Sequence, residues 1–86
     1  MATEKFYPKG EYVFREGESA DFAYILTSGT LEIVKTGIDG DVVLAVLEDA
    51  NTLFGEMALI DGEPRSAGVR ATTDAKVNEV TQEDFI

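Results

Sequence analysis

Residues 54–67 read FGEMALIDGEPRSA, and the spacing inside this stretch decides how the rest of the chain is read. Arg65 sits between a proline and a small-residue run, nine positions after Glu56, in a chain with 17 acidic and only 7 basic residues. Gly55 has no Cβ, so its backbone can approach another group closely. GEMALI (residues 55–60) is a candidate helix too short to stand alone, so packing must hold it. Its first turn leaves the N–H groups of Met57 and Ala58 unpaired, and such groups bind anions. Pro64 stiffens the approach to Arg65, whose guanidinium offers a planar fork of donors to a phosphate. Ser66 and Ala67 are small enough to leave further N–H groups accessible. Glu56 repels phosphate but accepts hydrogen bonds from sugar hydroxyls. Together these groups can hold a molecule with one phosphate and a free hydroxyl nearby. Taken singly, Glu56 and Arg65 amount to a surface salt bridge worth roughly 0–1 kcal/mol.

Working outward, periodicity points to strands almost everywhere. GEYVFREG (10–17), AYILTSG (23–29) and TLEIVKTG (30–37) are short β-rich runs bounded by glycines. In the third, Leu31 and Ile33 alternate against Glu32 and Val34, the pattern of a half-buried strand. Asp39-Gly40 predicts a type I′ hairpin turn. The return strand VVLAVL (42–47) is apolar throughout and is expected to be covered on both faces. GVRATT (68–73) and AKVNEV (75–80) follow, the latter losing its alternation at Asn78, where a bulge is expected. Short strands with turn signals every eight to twelve residues indicate a β-sandwich, roll or barrel. The final TQEDFI (81–86) pairs Thr81 with Asp84 in a relative of the capping box, with Phe85 and Ile86 as the first apolar residues of a helix. Two readings stand: a chain cut off at the start of a helix, or a frayed tail with a chance Thr-x-x-Asp.

Composition excludes several classes of function. Eighty-six residues suit one domain, residues 1–86, with 44% hydrophobic and 28% charged residues as in globular chains. There is no Cys and no His, so thiolate nucleophiles, zinc-thiolate sites and the commonest general base are all missing. A metal-dependent enzyme on a jelly-roll scaffold would need a histidine-rich site; no catalytic or metal-binding residue is expected, and the chain reads as a non-enzyme. A formal charge of −10 argues against nucleic acid as a partner of this chain alone and against anionic membrane surfaces. MATEKFYPKG at the N-terminus has no apolar central region and no run approaches a membrane span, so a cytoplasmic location is expected.

The longer stretch FGEMALIDGEPRSAGVRA (54–71) closely resembles the phosphate-binding cassette of cyclic nucleotide-binding domains, the family of protein kinase A regulatory subunits, catabolite activator protein and cyclic-nucleotide-gated channels. The family pattern, Phe-Gly-Glu-(Leu/Met)-Ala-Leu, a short gap, then Pro-Arg-small-Ala, is met from Phe54 to Ala67. Upstream, YPKGEYVFREGESADFAYILTSGTLEIV (7–34) is similar to the family's opening strands, so the resemblance covers essentially the whole chain. It implies an eight-stranded β-roll, or jelly roll (a double-stranded β-helix), with the cassette as its one internal helix. It also implies the binding residues. Gly55 makes room for the nucleotide, Glu56 accepts the ribose 2′-hydroxyl, and amides near Met57 and Ala58 meet the cyclic phosphate. Arg65 neutralises that phosphate, and Ser66 beside Ala67 adds an amide or hydroxyl contact. The ligand is then cAMP or cGMP, with no further cofactor, in a regulatory module whose effector the chain does not identify. The alternative is a degenerate member serving as a protein-interaction module without nucleotide.

Departures from the family pattern shape two further expectations. Gly68 stands at a position where the resemblance associates threonine with guanine, which favours cAMP. Asn51 replaces a usual glycine and Thr52 a frequent aspartate in the loop before the cassette, and Asn tolerates a left-handed backbone. The family follows its roll with C-terminal lid helices. Without them the base is expected to bind weakly and the uncapped roll surface to favour a homodimer.

Overall fold

The computed structural model describes residues 3–85, with the Phe85 side chain left out. In chain order the elements are β1 (Thr3–Tyr7), β2 (Tyr12–Phe14), β3 (Phe22–Ser28), β4 (Leu31–Gly37), β5 (Gly40–Leu47), β6 (Leu53–Phe54), α1 (Glu56–Asp61), β7 (Gly68–Ala71), β8 (Ala75–Thr81) and α2 (Gln82–Phe85). The strands form two four-stranded sheets, ordered β1-β8-β3-β6 and β2-β7-β4-β5, and every pairing is antiparallel. The chain crosses repeatedly from one sheet to the other, as the β-roll expectation requires. β1 and the two-residue β6 carry too little periodicity to be read from sequence; their partners in the sheet define them.

The core lies between the sheets. Leu26, Leu31 and Val77 are its largest fully buried side chains, one each from β3, β4 and β8. Phe14, Tyr24 and Phe54 gather beside them from β2, β3 and β6, with Tyr24 and Phe54 stacked at 5.4 Å between ring centroids and Phe14 at 5.7 Å from Tyr24. Such ring pairs add roughly 0.5–1.5 kcal/mol beyond the area they bury. This aromatic cluster joins the core formed by the two sheets, and α1 follows directly on Phe54 through Gly55. The helix buries only Leu59, while Met57 and Ile60 are exposed, so packing through one residue and its two end turns holds it.

Several sequence expectations need correction. β5 is an edge strand, and Val42, Val43, Leu44 and Val46 are all about half exposed, so the apolar run is not covered on both faces. Hydrophobicity reported composition there, whereas the position at the sheet edge sets exposure. In the β4–β5 hairpin, Gly37 pairs with Gly40 and the left-handed backbone falls on Gly40, not on Ile38 or Asp39, so the turn is not type I′. β8 pairs with β1 in unbroken register through Asn78; the irregularity lies across the other pairing, between Leu26 and Ser28 of β3. A further shift in the β4–β5 pairing puts an extra residue in β5, and Val34 is buried rather than solvent-facing.

Other expectations hold. Asn51 adopts φ 72° and the turn survives, its N–H donating to the Leu26 carbonyl at 2.6 Å while Leu26 N–H donates to Thr52 O at 2.9 Å. At the C-terminal end the Thr81 hydroxyl accepts the Asp84 N–H at 3.2 Å, the contact expected of Thr-x-x-Asp, and residues 82–85 form the short helix α2. Of the two apolar residues expected on that helix, Phe85 is the last residue of α2 and Ile86 lies outside the described residues. No helix among the described residues is long and apolar enough to cross a membrane.

Candidate functional site

A cavity of about 170 Å³ opens where α1 meets the segment before β7. All seven residues singled out from the sequence line it: Gly55, Glu56, Met57, Ala58, Arg65, Ser66 and Ala67. Phe14, Ile33, Phe54 and Val69 supply an apolar wall. Sequence reasoning did not single out that wall; the antiparallel register pairs Ile33 of β4 with Val69 of β7 and so puts both on one face of the sheet.

Local backbone chemistry builds the rim. Gly55 caps α1 with φ 75°, a left-handed conformation that L side chains rarely adopt. A Cβ at Gly55 would stand 2.9 Å from Arg65 Nη1 and 3.1 Å from the Phe14 ring. The space left by this glycine is therefore filled by the arginine itself. At the other end Gly62, also left-handed, donates its N–H to the Ala58 carbonyl at 3.0 Å and stops the helix.

Arg65 is the centre of the site. It is only 4% exposed and is the one buried polar or charged residue among the described residues. Its Nη1 donates to the Gly55 carbonyl and its Nη2 to the Phe22 carbonyl, each at 2.6 Å. The guanidinium lies 3.9 Å above the Phe14 ring centroid, a cation–π arrangement. Its main chain is fixed as well: Gly17 N–H donates to Arg65 O, and Arg65 N–H to Glu18 O, both at 2.8 Å. Two features are unsatisfied. Nε is buried with no hydrogen-bond partner, and among the described residues no carboxylate forms an ion pair with this guanidinium. The salt-bridge reading of Glu56 and Arg65 is thereby overturned. Burial lowers the Arg65 pKa, opposed by the Tyr24 hydroxyl and, more weakly, by Asp21 and Glu18. Burial pushes the Tyr24 phenol up to about 12, so it is neutral beneath the site.

The other arginine of the stretch is differently employed. Arg70 donates through Nε to Glu32 Oε1 at 2.8 Å and through Nη1 to Asp41 Oδ2 at 3.5 Å, so carboxylates compensate its charge outside the cavity. Gly68 corrects an expectation. It does not line the cavity, and a Cβ there would meet the Tyr12 ring at 3.3 Å and Phe14 O at 3.4 Å. A Cβ at 68 points away from this cavity, so position 68 gives no preference for adenine here. Among the described residues no group of three or more His, Cys, Asp or Glu side chains is placed to hold a metal ion.

The family model for the cyclic nucleotide-binding domain matches residues 4–86. Over 79 residues the chain is 39% identical to the cAMP-dependent protein kinase regulatory subunit of Emericella nidulans, covering 92% of this chain and 18% of that protein. It is 30% identical over 82 residues to the cyclic AMP receptor protein of Thermus thermophilus, covering 95% of this chain and 38% of the receptor. The chain thus spans well under half the length of these relatives. Among solved structures, the EAL enzyme Bd1971 in its half-site-occupied form superposes with a TM-score of 0.91 at 36% identity, over 99% of this chain and 76% of that one. By sequence and by fold, this chain belongs to the cyclic nucleotide-binding domain family.

Proposed function

We propose that this chain takes up a cyclic nucleoside monophosphate by equilibrium binding, with cAMP favoured over cGMP, and acts as the sensor for an attached effector. One observation carries the reading: a buried guanidinium with an unpartnered Nε and, among the described residues, no carboxylate in ion-pair contact, at the edge of a cavity rimmed by small residues. An uncompensated buried charge is unfavourable, and a singly charged phosphodiester relieves it. The N–H groups of Met57 and Ala58 at the start of α1 and the Ser66 and Ala67 segment would surround the phosphate. Glu56, half-buried on the same rim, would accept the ribose 2′-hydroxyl. The apolar wall of Ile33 and Val69 would face the sugar and base. No bond is made or broken.

The preference for cAMP rests on the relatives, named for cAMP. The EAL enzyme Bd1971 is described in both cAMP-bound and cGMP-bound forms, so the fold accommodates either base. A second reading, an interaction module without nucleotide, draws on the two Nη groups already occupied by backbone carbonyls. Self-association through the exposed apolar surface accompanies either reading.

Isothermal titration with cAMP, cGMP and 2′-deoxy-cAMP separates them. The expected result is saturable binding of the two ribonucleotides, weaker binding of the deoxy compound, and no such difference in Glu56→Ala. A hydrogen bond to a charged acceptor is worth roughly 1.5–3 kcal/mol, so the difference is about tenfold or more. No binding of any of the three favours the interaction module.

A further inference from the structure

We infer that Lys35 is a positioning residue for the ligand site, holding Ser66 in the orientation that presents its amide and hydroxyl to the cavity. The inference rests on the nucleotide-binding reading above. Lys35 follows Ile33 by two positions on β4, and in a strand that puts both on one face; Ile33 lines the cavity. Lys35 Nζ donates to the Ser66 carbonyl at 2.6 Å and forms an ion pair with Glu16 Oε2 at 3.2 Å. The other Glu16 oxygen accepts the Thr36 N–H at 3.0 Å, which fixes the carboxylate against β4. Those two contacts, the Thr36 N–H first and Lys35 second, hold the Glu16 pKa below its ordinary value.

The consequence follows from peptide planarity. Each peptide unit is rigid, so a residue's conformation is set by the two planes that flank it. The plane before Ser66 is held where Gly17 N–H bonds the Arg65 carbonyl at 2.8 Å. The plane after it is held where Lys35 bonds the Ser66 carbonyl. With both planes fixed, φ and ψ of Ser66 are fixed, and with them the directions of its N–H and Cβ. Gly17 is main chain and unavoidable, whereas Lys35 is a side-chain choice. Ser66 is exposed and lies outside any strand or helix, so no ladder would hold it without these bonds. Lys35 was not singled out from the sequence because its partner is a carbonyl 31 residues away.

The test uses the ¹⁵N-labelled chain as wild type, Lys35→Met, which keeps the stem and removes the donor, and Lys35→Arg, which restores it. In ligand-free protein the Ser66 amide resonance should move in Lys35→Met and return in Lys35→Arg, with the thermal midpoint of both near wild type. Affinity for cAMP should fall about tenfold in Lys35→Met, the weight of one charge-assisted hydrogen bond, and recover in Lys35→Arg. The loss should persist at 0.5 M salt, where the Debye length is only a few ångströms. An unmoved Ser66 amide, or an affinity loss that salt abolishes, overturns the positioning role and leaves only a distant charge. Wild type that takes up neither cAMP nor cGMP overturns the nucleotide reading instead, and the ligand-free resonances still decide whether Lys35 holds Ser66.

Discussion

Removing Arg65 should destabilise the fold as well as remove a ligand contact. Arg65→Ala deletes two charge-assisted hydrogen bonds, to the Gly55 and Phe22 carbonyls, and a cation–π contact with Phe14. Hydrogen bonds to charged groups contribute about 1.5–3 kcal/mol each, and a desolvated cation–π contact up to about 2. Relief of the uncompensated charge and its orphaned Nε offsets part of that sum. A net loss of about 3 kcal/mol is expected, against a total stability of roughly 4–13 kcal/mol for a domain of this size. At about 4–8 °C per kcal/mol the thermal midpoint should drop by roughly 12–24 °C. Circular dichroism melts of wild type, Arg65→Ala and Arg65→Lys test this, with the lysine intermediate because one ammonium lacks the planar fork that spans both carbonyls. An Arg65→Ala midpoint within about 3 °C of wild type would refute the structural role and return Arg65 to a purely ligand-binding one.

Other expectations follow from single features. Gly55→Ala combines a left-handed φ with a Cβ 2.9 Å from Arg65 Nη1, and should destabilise by about 1–3 kcal/mol in urea titrations. Tyr24 has its folded pKa raised to about 12 from an ordinary 10, so its contribution is complete below pH 10 and is lost as pH rises through 12. Stability should fall by on the order of 2–3 kcal/mol across that window, read by alkaline melts beside tyrosinate absorbance. Tyr24→Phe should flatten the fall. On β5, Val43→Lys replaces a side chain 48% exposed and should leave stability within about 0.5 kcal/mol while reducing self-association in sedimentation at high micromolar concentration. Undiminished association would place the contact elsewhere.

The site was more legible than the surface around it. Gly55, Glu56, Arg65 and their neighbours lie within one short segment, so their nearness in sequence already keeps them close in space, while packing against the sheets sets their geometry. All seven residues duly share one cavity. The strand runs and the capped start of α2 were legible for the same reason, because turn chemistry and capping act between near neighbours. The exposure of β5 was not legible: Val42 to Leu47 would read identically in a central strand, and only its place beyond β4 leaves it uncovered.

By itself, then, the sequence determined the strand-rich architecture, the cassette and the chemistry of its members. Tertiary structure alone decided what those members do to one another. Arg65 is buried against carbonyls of Gly55 and Phe22, ten and 43 residues away. Gly68 turns toward Tyr12 rather than the cavity, and Lys35 reaches Ser66. Each of these depends on which strand lies beside which, and that is settled by burying one shared core between two sheets rather than by any local preference of the residues concerned.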